Sequence, residues 1–204
     1  MIADAVKIDL KVQAALRSPV PLERAIPVFH RWIQERSLDE LMVDVADYTH
    51  VPDGPGVVLV CHDAIYSLDS GGGALGLLYS RRRETHASLG PIASLDDRLA
   101  SVFRRALVAC DRLERERDLA GLSFPADRFE LAINDRRVIA GDGGELARAL
   151  ERLAAWLFAG EQPRIELTGG DAGARLSATV HRDRAGGVAE LLSRLDVGAT
   201  VRAS

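Results

Sequence analysis

Residues 41–83 read LMVDVADYTHVPDGPGVVLVCHDAIYSLDSGGGALGLLYSRRR, and this stretch decides the fold class. Three hydrophobic runs, 41–48, 57–68 and 74–82, are separated by a Pro/Gly loop at 50–56 and a Gly-rich turn at 70–73. Runs of this length bounded by turn residues read as strands folding back on one another. The middle run is long enough to be a bent strand. Such hairpins argue against an all-parallel doubly wound sheet and for an antiparallel one.

Outward from this stretch, the pattern alternates between strands and helices. Residues 6–13 (VKIDLKVQ) alternate like a strand. Residues 22–36 carry Leu22, Ile26, Phe29 and Ile33 on one helical stripe, with Pro27 either kinking the helix or sitting in its first turn. Residues 94–117 form the clearest helix. Ser94 stands at the N-cap with Asp97 three residues on, followed by an apolar stripe from Leu95 to Leu113. Beyond a boundary at 121–127, strands are expected at 128–133, 138–140, 164–168 and 175–182. Helices are expected at 145–159, stopped by Gly160, and at 187–196.

The first half, 1–120, therefore reads β-α-β-β-β-α, and the second, 121–204, reads β-β-α-β-β-α. The hairpin sequences SLDSGGGALGLLYSRRR and ELTGGDAGARLSATVHRD are locally alike. These features predict an α+β protein. Its form is a two-layer sandwich with a mostly antiparallel sheet and helices on one face, built from two related β-α-β-β-α halves that pack closely or form one domain.

Composition narrows the function. The chain has 204 residues, 47% of them hydrophobic and 27% charged, enough for a sizeable core. A net charge of −4 disfavours nucleic-acid binding, which rests on neutralising phosphates. No apolar run approaches the ~20 residues that span a bilayer. The opening residues lack the apolar core of a signal peptide. Two cysteines, Cys61 and Cys110, both lie in apolar runs, which suits buried thiols in a cytoplasmic protein. The chain contains no Walker-type G-x-x-x-x-G-K-[ST], dinucleotide G-x-G-x-x-G, G-x-S-x-G elbow, H-E-x-x-H or paired C-x-x-C. No metal or cofactor is assigned.

Acids and histidines within the strand-like runs are the candidate site residues. Cys61, His62 and Asp63 cannot form a triad while extended, because alternate side chains point to opposite faces. If 41–48 pairs with 57–68, Tyr48 falls near Val57, and Asp44 falls near Cys61, one diagonal step from Asp63. Two close carboxylates do acid/base work or hold a cation. Asp44, His62 and Asp63 are thus the catalytic candidates. The stiff HVPDGPG loop presents His50 and Asp53 as ligand-binding candidates, with Arg81 and Arg82 as anion binders. Trp32, on a helix beside Phe29, is the interface candidate.

The segments VFHRWIQ (28–34), VDVADY (43–48), HVPDGPG (50–56) and GLLY (76–79) resemble an uncharacterised family of bacterial proteins of similar length. The likeness covers mainly residues 6–115 and attaches no activity. The expectation is a non-catalytic binding or assembly protein that forms a homo-oligomer. The alternative is a small-molecule or metal-dependent enzyme using the acids and histidines of 44–63, with a pocket at the 49–56 loop.

Overall fold

The computed structural model describes residues 2, 5–83, 94–135, 142–169, 175–184 and 186–202, the last helix with side chains to 195. The strands are β1 (Ile8–Gln13), β2 (Ala15–Leu16), β3 (Met42–Tyr48), β4 (Gly56–Cys61) and β5 (Ala64–Asp69). They continue with β6 (Gly76–Arg81), β7 (Leu122–Ser123), β8 (Arg128–Ile133), β9 (Arg164–Thr168) and β10 (Leu176–His181). The helices are α1 (Ala25–Glu35), α2 (Leu95–Arg115), α3 (Gly143–Leu157) and α4 (Val188–Arg202). The protein is an α+β sandwich with an eight-stranded sheet in the order β3-β4-β5-β6-β1-β8-β10-β9. Every pairing in that sheet is antiparallel. β2 and β7 form a separate small ribbon.

Alternation sets the two faces of the sheet. Leu59, Tyr66, Leu68, Leu77, Leu10, Leu131, Phe129 and Ala178 share one face and are buried. α1 packs against β3 and β4, α2 against β1 and β6, and α3 against β9, while α4 packs on α2 and α3. Asp9, Lys11, Glu130, Ser177 and Thr179 fall on the other face. There Lys11 donates to Asp69 at 2.5 Å and to the Gly71 carbonyl at 2.7 Å.

The helix ends follow local chemistry. Ser94 caps α2 by accepting from the Asp97 N–H at 3.2 Å. α1 begins at Ala25, so Pro27 lies in its first turn, where no intrahelical N–H is needed. α1 closes on Arg36, which adopts left-handed geometry at φ 53°.

Two expectations about the central hairpin change. The run 57–68 is not one bent strand but two, β4 and β5, reversed at His62 and Asp63. The turn contains neither Gly nor Pro, and β4 and β5 are buried at nearly every position on both faces, so hydrophobicity resumes at once on either side of it. The β3–β4 register also differs by one residue: Asp44 lies opposite Val60 and Tyr48 opposite Gly56, and a bulge at Val43 then brings Met42 opposite Cys61. The expected strand at 138–140 and most of the second Gly-rich turn lie outside the described residues.

The halves are topologically equivalent. β1-α1-β5-β6-α2 corresponds to β8-α3-β9-β10-α4, with the β3–β4 hairpin added in the first half. In the sheet, β5-β6-β1 meets its counterpart β9-β10-β8 head to head. Leu10 pairs with Leu131 and Val12 with Phe129, so an approximate two-fold passes through the Lys11–Glu130 pair. Tyr79 lies opposite Leu10 and Tyr66, while Val180 lies opposite Phe129 and Ile165. Tyr79 thus corresponds to Val180, Tyr66 to Ile165 and Arg81 to Arg182. The two halves share one sheet through β1 and β8.

Candidate functional site: a buried polar cluster under α2

Most soluble cores keep polar groups out unless each is hydrogen-bonded. One region of this core holds several together. β5 and β6 carry Tyr66 and Tyr79 inward as a register pair, rings 4.9 Å apart and tilted 55°. Arg81, at the end of β6, also points toward the helices. Its Nη2 donates to Ser101 Oγ of α2 at 2.8 Å. One turn further along α2, Arg105 Nη1 donates to Asp39 Oδ2 at 3.1 Å and lies 3.2 Å from Glu40 Oε2. Glu40 reaches in from the connection between α1 and β3, and Tyr79 Oη lies 3.5 Å from its Oε1.

Glu40 Oε2, Tyr66 Oη and Arg81 Nη1 are buried and make no hydrogen bond of good geometry, although Glu40 acts on the Tyr66 phenol at close range. The Arg105 contact to Glu40 Oε2 is an ion pair without hydrogen-bond alignment. Burial, and then the charge of Glu40, push the Tyr66 phenol well above its ordinary range. Burial raises Tyr79 to about 12. The neighbouring Cys61 thiol is also raised to about 12, by burial and then by Glu40 and Asp63. All three groups are therefore protonated at neutral pH. The cluster offers hydrogen-bond donors and one carboxylate acceptor rather than a nucleophile.

The residues singled out from the sequence are dispersed. Asp44 is exposed and accepts the Val45 N–H at 2.8 Å. His62 and Asp63 occupy the β4–β5 turn. There, freed from strand alternation, His62 Nδ1 comes within 2.8 Å of Asp63 Oδ1, an exposed contact. His50 and Asp53 are exposed in the β3–β4 loop at the opposite end of β4, roughly 20 Å away at strand spacing. The acid that organises this loop is Asp47, which accepts from the Thr49 N–H at 2.9 Å and from its hydroxyl at 2.7 Å. Those bonds, backbone first, lower its pKa. Arg82 is exposed, and its N–H donates to the Asp63 carbonyl at 2.8 Å. Of the proposed ligand-binding residues, only Arg81 belongs to the buried cluster.

Trp32 is not an interface anchor: it is 2% exposed, packs on Phe29 at 5.3 Å and donates from Nε1 to Glu116 Oε1 at 2.7 Å. Its helix turns this face to the chain's own core. Glu40, Tyr66, Ser101 and Arg105 went unnoticed in the sequence because they are spread over 66 residues. Each reads locally as an ordinary helix, loop or strand residue. A groove of about 280 Å³ opens between α2 and α4, lined by Val108, Asp111, Arg112, Arg115, Glu116 and Leu192. Among the described residues, no group of three or more His, Cys, Asp or Glu is placed to hold a metal. None of their helices is long and apolar enough to cross a membrane. No protein-family model matches this chain, and neither the curated proteins nor the solved structures contain a match to it.

Proposed function

We propose that this is a cytoplasmic, non-catalytic assembly protein that associates with copies of itself through the outer margin of β3. The observation that carries this reading is a set of exposed apolar side chains on and beside the strand β3. Leu41 is 70% exposed, Val43 59% and Tyr48 43%, and Val51 follows in the loop. Among the described residues β3 pairs only with β4, so it lies at the margin of the described sheet. The register shifts at Val43, whose side chain is exposed, and Asp44 accepts from the Val45 N–H. Both features discourage open-ended strand addition and leave side-chain packing as the mode of contact. Around a two-fold axis the same surface meets itself, giving a closed dimer rather than a fibre. Two buried, unpaired cysteines agree with a reducing compartment.

The enzyme alternative gains no comparable support, since His50 and Asp53 lie at the opposite end of β4 from His62 and Asp63. Native mass spectrometry of the full chain tests the assembly reading. A multiple of 22.1 kDa is expected, returning to monomer in Val43→Asp. A monomer at every concentration, or an oligomer untouched by that substitution, overturns it.

A further inference from the structure

The equivalence of the two halves makes the outer margin of β9 informative. β9 is the counterpart of β5: Ile165 corresponds to Tyr66, and Leu167 to Leu68. In the first half, β4 adds to the outer side of β5 as an antiparallel strand, with Val58 opposite Ser67 and Val60 opposite Ile65. In the second half, among the described residues, β9 pairs only with β10. One chain thus displays, in its own first half, that a strand in this position accepts a further antiparallel neighbour.

The side chains on this margin differ between the halves. Ser67 and Ile65 face the valines of β4, whereas their counterparts are Glu166 and Arg164. The side chains of Arg164 and Glu166 are 71% and 54% exposed, lie on the helix-free face and approach to 3.1 Å. An uncharged strand laid along β9 would cover this pair without compensation, which guards the edge against indiscriminate pairing. Ile165 and Leu167 alternate onto the helix face, where Leu167 is still 38% exposed.

A second β9 satisfies these requirements. A two-fold axis through Ile165, perpendicular to the sheet, sets Arg164 opposite Glu166 of the second copy and Glu166 opposite its Arg164. Ile165 then faces Ile165, and Leu167 faces Pro163. Directly opposed residues of an antiparallel pair lie about 4.5–5.5 Å apart, within reach of cross-strand ion pairs. The next registers lack this match. An axis at Glu166 opposes two like charges, and one at Leu167 sets Glu166 against Thr168. The perpendicular axis also keeps the helices of both copies on one side.

We propose that β9 is a strand-addition edge whose partner is the β9 of a second copy, joined antiparallel about Ile165 by reciprocal Arg164–Glu166 pairs. The charges that keep an uncharged strand away match this partner. A five-residue strand makes a small interface, so the contact is weak and depends on concentration. It lies at the opposite end of the sheet from β3 and does not rest on association there.

Sedimentation of the full chain carrying Val43→Asp, which removes the β3 contact, tests the proposal. A dimer is expected to form as the concentration approaches about 1 mM, the range of a weak edge contact. Added to that chain, Arg164→Glu and Glu166→Arg should each weaken the dimer by roughly tenfold or more, since each opposes like charges. Mixing the two variants should restore association, because every opposed pair is then of unlike charge. All three substituted side chains are exposed, so circular dichroism should show the fold unchanged. A monomer at about 1 mM overturns the proposal. So does a dimer that neither added substitution weakens, or a mixture no more associated than its parts. Failure of the β3 reading shows separately, as a monomeric wild-type chain in the native spectrum at low concentration.

Discussion

Arg81 and Arg182 occupy matching positions and have different surroundings, and that difference decides what substitution does to each. Arg182 is buried with its charge paired, so Arg182→Ala strands Glu161 and removes the cation from the Phe158 face. A loss of about 3–5 kcal/mol in urea unfolding is expected, the usual cost of breaking a buried pair. A loss below about 1 kcal/mol would show that the pair is solvated. Trp32→Ala should cost a similar amount, about 3–5 kcal/mol, because it empties part of the core and removes one of the hydrogen bonds to Glu116, which keeps its pair with Arg31. The proposed self-association through β3 should survive that change, since Trp32 faces inward.

The cluster also predicts a response to alkali. Cys61 and Tyr79 ionise near 12 in the folded chain, against 9.0 and 10.0 ordinarily, chiefly because burial penalises their charged forms. Between those values the unfolded chain has released protons that the folded chain still holds. Stability is therefore full below about pH 9 and falls as pH rises toward 12. The urea midpoint should drop between pH 8 and pH 10.5, and Tyr79→Phe should flatten part of that slope. A midpoint that stays level across this range would mean that both groups reach solvent.

At the scale of elements, the central hairpins rest on backbone geometry that side chains cannot supply. Gly56 opens β4 at φ 62°, and a Cβ there would lie 2.1 Å from the Leu68 carbonyl oxygen. Gly56→Ala must push β4 away from β5 as well as adopt an unfavourable φ. A loss of about 3 kcal/mol or more is expected in thermal or urea unfolding. A near-neutral result would place the strand ends further apart than the register implies. α2, by contrast, was legible residue by residue. Its cap, its acidic first turn and its apolar stripe all coincide with the helix Leu95–Arg115. The β4–β5 reversal was not legible. Buried, apolar-rich strands continue on either side of His62–Asp63, and a two-residue turn there carries no Gly or Pro to mark it.

For the whole molecule, the eight-stranded sheet ends, among the described residues, on β3 and β9. β9 is short and carries an Arg164–Glu166 pair at 3.1 Å, charged protection for an edge. β3 has the bulge and the acids but also the exposed side chains of Leu41, Val43 and Tyr48, which make it the margin suited to assembly by side-chain packing. Leu41→Asp, like Val43→Asp, should weaken the oligomer while leaving Tm within about 2 °C, since exposed positions contribute little to the fold.

By itself the sequence determined the class of this protein: α+β, antiparallel, with helices on one face and two related halves. Those properties follow from periodicity, turn residues and caps, which act over a few neighbours. Only the tertiary structure decided which strands adjoin, that β1 and β8 join the halves at a two-fold, and that Glu40, Tyr66, Arg81 and Arg105 share one buried site. It also separated Asp44, which faces out opposite Val60, from His62 and Asp63, which sit in the β4–β5 turn, and left His50 and Asp53 in the loop at the other end of β4. The physical reason is common to all of these. Strand partners and buried polar clusters are chosen by packing between distant segments, and local sequence carries no record of that choice.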